Sequence, residues 1–96
     1  MAIQIKISAG VYVINGEFNP QNNKSLKSYF EILLNQTNIL LISINKNVKI
    51  TSNGVKTMGE LYNSAFLRKK KFRIVNVKNK QTLKKFKMAN LMHLIL

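Results

Sequence analysis

The feature that most constrains the fold is an aliphatic run that gives way to a helical pattern within a few residues. From Asn38 to Ile44 the chain is almost wholly aliphatic, which is typical of a central β-strand covered on both faces. From Val55 onward the apolar residues follow helical spacing instead. They are Val55, Met58, Tyr62, Ala65 and Phe66, while Lys56, Glu60 and Asn63 fall on the opposite face. The stretch therefore predicts a buried strand, a short polar connection and a helix.

Two hydroxyl side chains, Thr51 and Ser52, lie at or just before the first turn of that helix. A hydroxyl in this position can accept a hydrogen bond from an unpaired backbone amide and so cap the helix. The same amides favour negative charge, so a phosphate on Ser52 would be held there and could act as a reversible switch. Both interpretations, a helix cap and a charge switch, fit the spacing.

The remaining elements follow from periodicity and turn residues. Alternation from Ile3 to Ser8, the turn at Ala9-Gly10 and a second strand that extends as far as Phe18 predict an opening hairpin. Asn19-Pro20 ends that strand, and a helix is predicted from Lys24 to Asn35 after the capping residues 21–23. Its apolar side is formed by Leu26, Tyr29, Phe30, Leu33 and Leu34.

The second half of the chain repeats the order strand, helix, strand. The elements are Asn38 to Ile44, Ser52 to Leu67 and Lys71 to Val77, followed by a short helix capped near Asn79 and a last apolar piece at 91–96 that is either strand or helical turn. Two crossover units of this kind predict parallel strand pairs. The fold class is therefore α/β, with a mixed sheet of four to five strands and about three helices.

The length of the chain predicts one domain, residues 1–96, with a single hydrophobic core of modest size. No cysteine is present, which is compatible with a cytoplasmic location. Met1 to Ser8 do not have the pattern of a signal peptide, and no run approaches the roughly 20 apolar residues of a membrane span.

Catalysis is not expected, because the residues that would carry it are missing or scattered. The three acids, Glu17, Glu31 and Glu60, belong to three different elements, and there is no Asp. A metal site would need several His, Cys, Asp or Glu ligands, and the chain has one His and no Cys. His93 lies in an apolar run and is interpreted as a packing or surface residue. No phosphate-binding glycine loop is present, so neither a metal nor a cofactor is predicted.

From Asn38 to the end, the chain resembles a STAS domain of the anti-sigma factor antagonist family. The family signature is an aliphatic strand, a short loop, an Asp-Ser pair followed by a small residue and Gly, and an amphipathic helix. The stretch from Ile50 to Val55 is similar to it at Ser52, Gly54 and both flanking aliphatic residues. Upstream, Gly16-Glu17 resembles the pair that closes the second strand of the family, so the similarity covers nearly the whole chain. This chain has Thr51 and Ser43 where the family often has Asp.

The resemblance implies a non-catalytic interaction module in bacterial sigma-factor or stress signalling. Its partner would be an anti-sigma factor that is also a serine kinase, and phosphorylation of Ser52, or alternatively of Thr51, would break the complex. The implied partner-binding residues surround this site: Ser43, Lys46, Lys49, Thr51, Asn53, Gly54 and Lys56. Because carboxylates are replaced at positions 51 and 43, a STAS-like domain that has lost the switch is an alternative. The oligomeric state is not specified by the sequence.

A second function class is suggested by charge. Sixteen Lys and Arg against three acids give a formal net charge of +13, which attracts acidic partners but could also reflect compositional drift. The candidate polyanion or nucleic-acid patch is formed by Arg68, Lys69, Lys70, Lys71, Lys84 and Lys85. An ordinary solvated loop and helix face is the other interpretation of these residues, because few aromatic side chains are interleaved with them.

Overall fold

The architecture is a four-stranded mixed sheet with helices, seen in a computed structural model that describes residues 3–96. Met1 and Ala2, part of the predicted domain, lie outside the described residues. The strands are β1 (Gln4–Ser8), β2 (Val11–Asn15), β3 (Ile39–Ile44) and β4 (Lys71–Ile74), and they lie in the order β1-β2-β3-β4. The α-helices are α1 (Pro20–Gln36), α2 (Ser52–Leu67) and α3 (Lys80–Met88), and a 3-10 turn follows at Met92–Leu94. The predicted fold class is confirmed.

The opening hairpin forms as predicted. Strands β1 and β2 pair antiparallel, and Ala9 and Gly10 both have positive φ, as a tight two-residue hairpin turn requires. The strand β2 ends at Asn15, however, so the expected extension to Phe18 is wrong. Gly16, with φ of 118°, turns the chain away from the sheet, and Phe18 becomes a buried core residue.

Helix α1 begins four residues earlier than the sequence pattern suggests. The Asn19 side chain accepts a hydrogen bond from the Asn22 amide at 2.8 Å and caps the helix, and Pro20 is its first residue. Proline is favoured there because its missing N–H would have no partner in the first turn anyway. Asn19, expected to end a strand, is therefore the cap of α1, and residues 20–23 belong to the helix itself.

Both predicted crossover units are present, and they place α1 and α2 on the same side of the sheet. Strand β3 pairs parallel with β2 and with β4, and successive right-handed crossovers in one direction carry their helices to one face. Along β3, Leu40, Ile42 and Ile44 are buried, whereas Ile39 on the opposite face is 55% exposed. The expectation that this strand is covered on both faces is therefore wrong.

The core fills the space between that sheet face and the helices. Its largest fully buried side chains include Phe30 of α1, Phe72 of β4 and Phe86 of α3. On α2 the buried stripe runs through Val55, Met58, Leu61 and Ala65, which follow a 3.6-residue period. Phe66, expected on this stripe, is 70% exposed because it lies about a quarter turn further round the helix.

The C-terminal segment covers β4, the last strand of the sheet. The Asn79 side chain caps α3 by accepting hydrogen bonds from the amides of Gln81 and Thr82, at 2.9 and 3.3 Å. After the 3-10 turn, Ile95 forms a parallel bridge with Ile74 of β4. The last apolar piece is therefore a helical turn followed by a strand-like bridge.

Candidate functional site

The connection between β3 and α2 is held by two buried side chains and a tight turn. The Val48 amide donates to the Asn45 carbonyl at 2.9 Å, and the Asn45 side chain accepts from the Asn47 amide at 3.0 Å. Val48 and Ile50 are both buried, so these two side chains anchor the loop to the core. This anchoring fixes where the first turn of α2 begins.

At that point the two hydroxyls have different environments. The Thr51 hydroxyl accepts a hydrogen bond from the Gly54 amide at 3.0 Å, and the Thr51 carbonyl accepts from the Val55 amide at 3.0 Å. Thr51 is thus the N-cap of α2, as the capping interpretation proposes. Ser52 is the first helical residue and is exposed. Its hydroxyl takes no part in capping and is open to solvent.

The positive end of α2 is not offset by an acidic side chain. The first turn contains no acidic residue. Within residues 3–96 the backbone amides of Ser52 and Asn53 have no protein acceptor, as expected for the first amides of a helix. Negative charge placed on the Ser52 side chain would therefore be stabilised by these amides and by the helix dipole.

Gly54 is required by packing and not by an unusual backbone angle. A Cβ atom built at this position would lie 2.8 Å from Ile50 Cγ1 and 2.8 Å from Phe18 Cδ1. Both neighbours are buried, so they cannot easily move aside. Asn53 and Gly54 are the second and third residues of α2.

The predicted partner-binding side chains do not share one cleft. Ser43 and Lys46 line one shallow cleft of about 270 Å³. Lys49 lines a second, and Asn53 and Lys56 line a third. All three lysines are exposed, and Ser43 is half-buried at the end of β3.

Two neighbours of Ser52 come from α3 and were not assigned to this site from the sequence. Ser52, Lys85 and Met88 line a cleft of about 250 Å³. The Lys85 ammonium donates a hydrogen bond to the Ile50 carbonyl at 2.7 Å, which ties α3 to the loop before α2. Met88 is 77% exposed. The helical period of α3 predicts that these two side chains lie close together on it, but not which element they meet.

The candidate basic patch is divided between two ends of the molecule. Residues 68–71 follow the C-terminus of α2, whereas Lys85 is anchored beside its N-terminus. A 16-residue helix separates them by about 24 Å. Lys84, exposed on α3, lies next to Lys85 in the chain. The structure does not bring the two groups together.

Two of the cations at the C-terminal end of α2 are already engaged by the protein. Arg68 donates to the Glu31 carboxylate at 2.9 Å and to the Glu31 carbonyl at 3.2 Å. The Lys70 ammonium donates to the Leu34 carbonyl. Lys69 and Lys71 are exposed.

Glu31 and Glu60 form ion pairs, and the histidine packs against an aromatic ring. Glu60 pairs with Lys27 at 3.7 Å, and Glu31 pairs with Arg68. His93 packs edge-on against Tyr62, with ring centroids 5.1 Å apart. Among residues 3–96, no three His, Cys, Asp or Glu side chains lie close enough together to hold a metal ion. In the same part of the chain, no helix is long and apolar enough to cross a membrane.

Comparison with solved structures identifies the fold. The chain superposes on the anti-sigma factor antagonist SpoIIAA in its unphosphorylated form with a TM-score of 0.76, covering 99% of this chain and 86% of that one. The chain has a STAS-like fold. The phosphorylated form of SpoIIAA, a Bacillus cell fate determinant, gives a TM-score of 0.68 over 99% of this chain and 89% of that one. Identity to both is 14%, so the likeness is one of fold. The sequence matches no protein-family model and no curated protein sequence.

Proposed function

We propose that this STAS-like domain is a non-catalytic regulatory module that binds an anti-sigma factor with serine kinase activity and is released by phosphorylation of Ser52. It would act in the cytoplasm of a bacterium, in the control of transcription. The observation that carries the proposal is the exposed Ser52 hydroxyl at the first position of α2, in a fold shared with SpoIIAA. SpoIIAA itself is known in an unphosphorylated and a phosphorylated form.

Ser52 is a better phosphoacceptor than Thr51 in this arrangement. The Thr51 hydroxyl is half-buried and accepts the hydrogen bond that caps α2, so modifying it would remove the cap. The Ser52 hydroxyl is exposed and can be reached by a kinase without disturbing the helix. Thr51 in place of the Asp of the family therefore preserves the start of the helix.

Phosphorylation would add negative charge to the surface around Ser52. Uncharged side chains nearby include Thr51, Asn53 and the exposed Met88, and Lys85, which lines the same cleft, is engaged by the Ile50 carbonyl. A phosphate adds about −1.5 to −2 charges at pH 7, and burying it against a partner would cost desolvation energy. The outer lysines, Lys46, Lys49 and Lys56, would face acidic groups of the partner. Ser43, half-buried in a separate cleft with Lys46, and Gly54, buried in the first turn of α2, are the other proposed contact residues.

The decisive experiment is a phosphorylation assay with ATP and an anti-sigma factor that has serine kinase activity. We expect one phosphate to be added and to be located on Ser52 by mass spectrometry, and Ser52→Ala to remain unlabelled. Thr51→Ser, which keeps a capping hydroxyl, is the matched control and should be labelled like the native protein. Equal labelling of Ser52→Ala and the native chain would disprove the assignment.

Affinity for the anti-sigma factor distinguishes a domain with a working phosphorylation switch from one that has lost it. We expect Ser52→Glu to weaken the complex with the anti-sigma factor, because it places a charge in the contact surface. A lost switch predicts the same affinity for Ser52→Glu and the native protein. Isothermal calorimetry on both proteins separates the two outcomes.

The polyanion-binding alternative has weaker support. Arg68 and Lys70 are engaged by α1, and Lys84 and Lys85 lie far from Lys69 and Lys71. On DNA, each phosphate contact contributes about −0.9 to the slope of log affinity against log salt concentration. Since few free cations of the candidate patch lie at either end of α2, we expect the affinity for DNA or RNA to depend only weakly on salt. A steep slope that is reduced by Lys69→Gln and Lys71→Gln would favour this alternative.

A further inference from the structure

Ser52 shares a cleft with a lysine from another helix. The exposed Ser52 and Lys85 of α3 line the same cleft of about 250 Å³. The other residues that line this cleft, Val55, Met88 and Ala89, carry no charge. The positive charge that borders the cleft therefore comes from Lys85.

The Lys85 ammonium is held close to the start of α2 by the chain itself. It donates a hydrogen bond to the Ile50 carbonyl at 2.7 Å, and Ile50 lies two residues before Ser52. Lys85 is half-buried and Ile50 is buried, so solvent has limited access to this contact. Part of the entropy cost of ordering a long lysine side chain is therefore met before any modification occurs.

The ammonium of Lys85 retains unused hydrogen-bonding capacity. An ammonium group has three N–H donors, and the Ile50 carbonyl takes one of them. Among residues 3–96, the ion pairs of Glu31 and Glu60 do not involve Lys85, so no carboxylate in that part of the chain offsets its charge. The remaining donors are available to an anion that enters the cleft.

The other lysines near Ser52 line different clefts. Lys49 lines the neighbouring cleft on the other side of Lys85, and Lys56 lines the cleft between α1 and α2. Lys56 lies four residues after Ser52 on the same helix, so it is the main competitor for a phosphate. It is exposed, however, and ordering its side chain would cost more entropy than adding a bond to Lys85.

We propose that Lys85 holds the phosphate when Ser52 is phosphorylated. Its ammonium keeps the bond to the Ile50 carbonyl and donates a second, charge-assisted hydrogen bond to a phosphate oxygen. This inference rests on the proposed phosphorylation of Ser52 and names the α3 residue that positions the added group. The phosphate then occupies the cleft beside the exposed Met88, where it obstructs a partner that contacts both α2 and α3.

The test is a pH titration of phosphoserine incorporated at position 52 during protein synthesis, followed by phosphorus NMR. The second pKa of a phosphoserine is ordinarily about 6, and a neighbouring ammonium lowers it by favouring the dianion. We expect Lys85→Met to raise this pKa by about 0.5 or more relative to the phosphorylated native chain. Lys85→Arg keeps the charge and several donors, so it should retain the native value.

Two control variants remove the same charge at other positions. Lys84→Met changes the exposed neighbour of Lys85 on α3, and Lys56→Gln removes the competing cation of α2. Because exposed charges are screened by salt, each should change the phosphoserine pKa by about 0.2 or less. Lys85→Gln keeps a hydrogen-bond donor without the charge, so it should behave like Lys85→Met. Far-ultraviolet circular dichroism establishes that each variant is folded.

The proposal is overturned if the phosphoserine titrates alike in Lys85→Met, Lys84→Met and the native chain. A larger rise of the pKa in Lys56→Gln than in Lys85→Met would also overturn it, because the phosphate would then be held by α2 alone. Since the phosphoserine is incorporated without a kinase, neither result bears on the proposed function. Failure of the kinase to label Ser52 would refute that function and leave these pKa values as measured.

Discussion

Replacing Gly54 by Ala tests whether the first turn of α2 is fixed by contact with the core. The backbone at Gly54 is helical, so the conformational effect of an added methyl group is favourable, at about 1 kcal/mol or less near the helix start. The new Cβ would lie 2.8 Å from Ile50 Cγ1 and from Phe18 Cδ1, closer than real atoms approach. Overpacking of this kind costs about 1–3 kcal/mol. The expected net effect is destabilisation by about 1 kcal/mol.

Gly59 in the same helix provides a matched control. Its added Cβ would lie 2.9 Å from Leu91 Cδ1, the end of a flexible and only half-buried side chain that can rotate away. Gly59→Ala should therefore keep most of its helix-propensity gain and be neutral or stabilising by up to about 1 kcal/mol. The two variants should differ by about 1–2 kcal/mol, although the chemical change is identical.

The assay is urea unfolding followed by far-ultraviolet circular dichroism, with thermal unfolding as a second measurement. The midpoint should fall for Gly54→Ala with an unchanged slope, and each 1 kcal/mol should correspond to about 4–8 °C in the melting temperature for a domain of this size. If Gly54→Ala were as stable as Gly59→Ala, the core contacts of Ile50 and Phe18 would not be what positions this turn.

Three further predictions concern single contacts, each measured by urea unfolding. Thr51→Ala should lose about 1 kcal/mol because the α2 cap is removed, whereas Thr51→Ser should retain most of the stability. A double-mutant cycle on Arg68 and Glu31, whose side chains are 34% and 25% exposed, should give a coupling energy of about 0.5–1 kcal/mol that falls as salt is added, and a salt-independent value would contradict a partly exposed ion pair. Lys85→Met should cost about 1 kcal/mol through the lost hydrogen bond to the loop carbonyl, and Lys84→Met, its exposed neighbour on α3, should stay within about 0.5 kcal/mol of the native protein.

Errors in the predicted elements came from patterns that local sequence leaves ambiguous. Asn19 and Pro20 are equally suited to ending a strand and to starting a helix, and the structure uses them for the helix. Phe66 is apolar at nearly the right spacing, but the buried stripe of α2 passes through Leu61 instead. The start of α1 is fixed locally, by the bond from the Asn22 amide to the Asn19 side chain, whereas the exposure of Phe66 was decided by packing between elements distant in the chain.

The position of Ser52 in the fold could be predicted from the sequence, but the residues packed around it could not. The position of Ser52 at the start of α2 follows from a change of hydrophobic period and a capping hydroxyl, both of which are read within a few residues. The proximity of Lys85 to Ile50 joins residues 35 positions apart and has no local signal.

By itself the sequence determined the order and type of the elements and the location of the hydroxyl pair, because strand period, helix period and capping act over a few neighbouring residues. The tertiary structure alone decided which face of the sheet is covered, why Gly54 has no room for a side chain, which residues of α3 border Ser52, and that the basic residues divide between the two ends of α2. These properties depend on how separate elements pack, and packing is set by contacts between residues far apart in the chain.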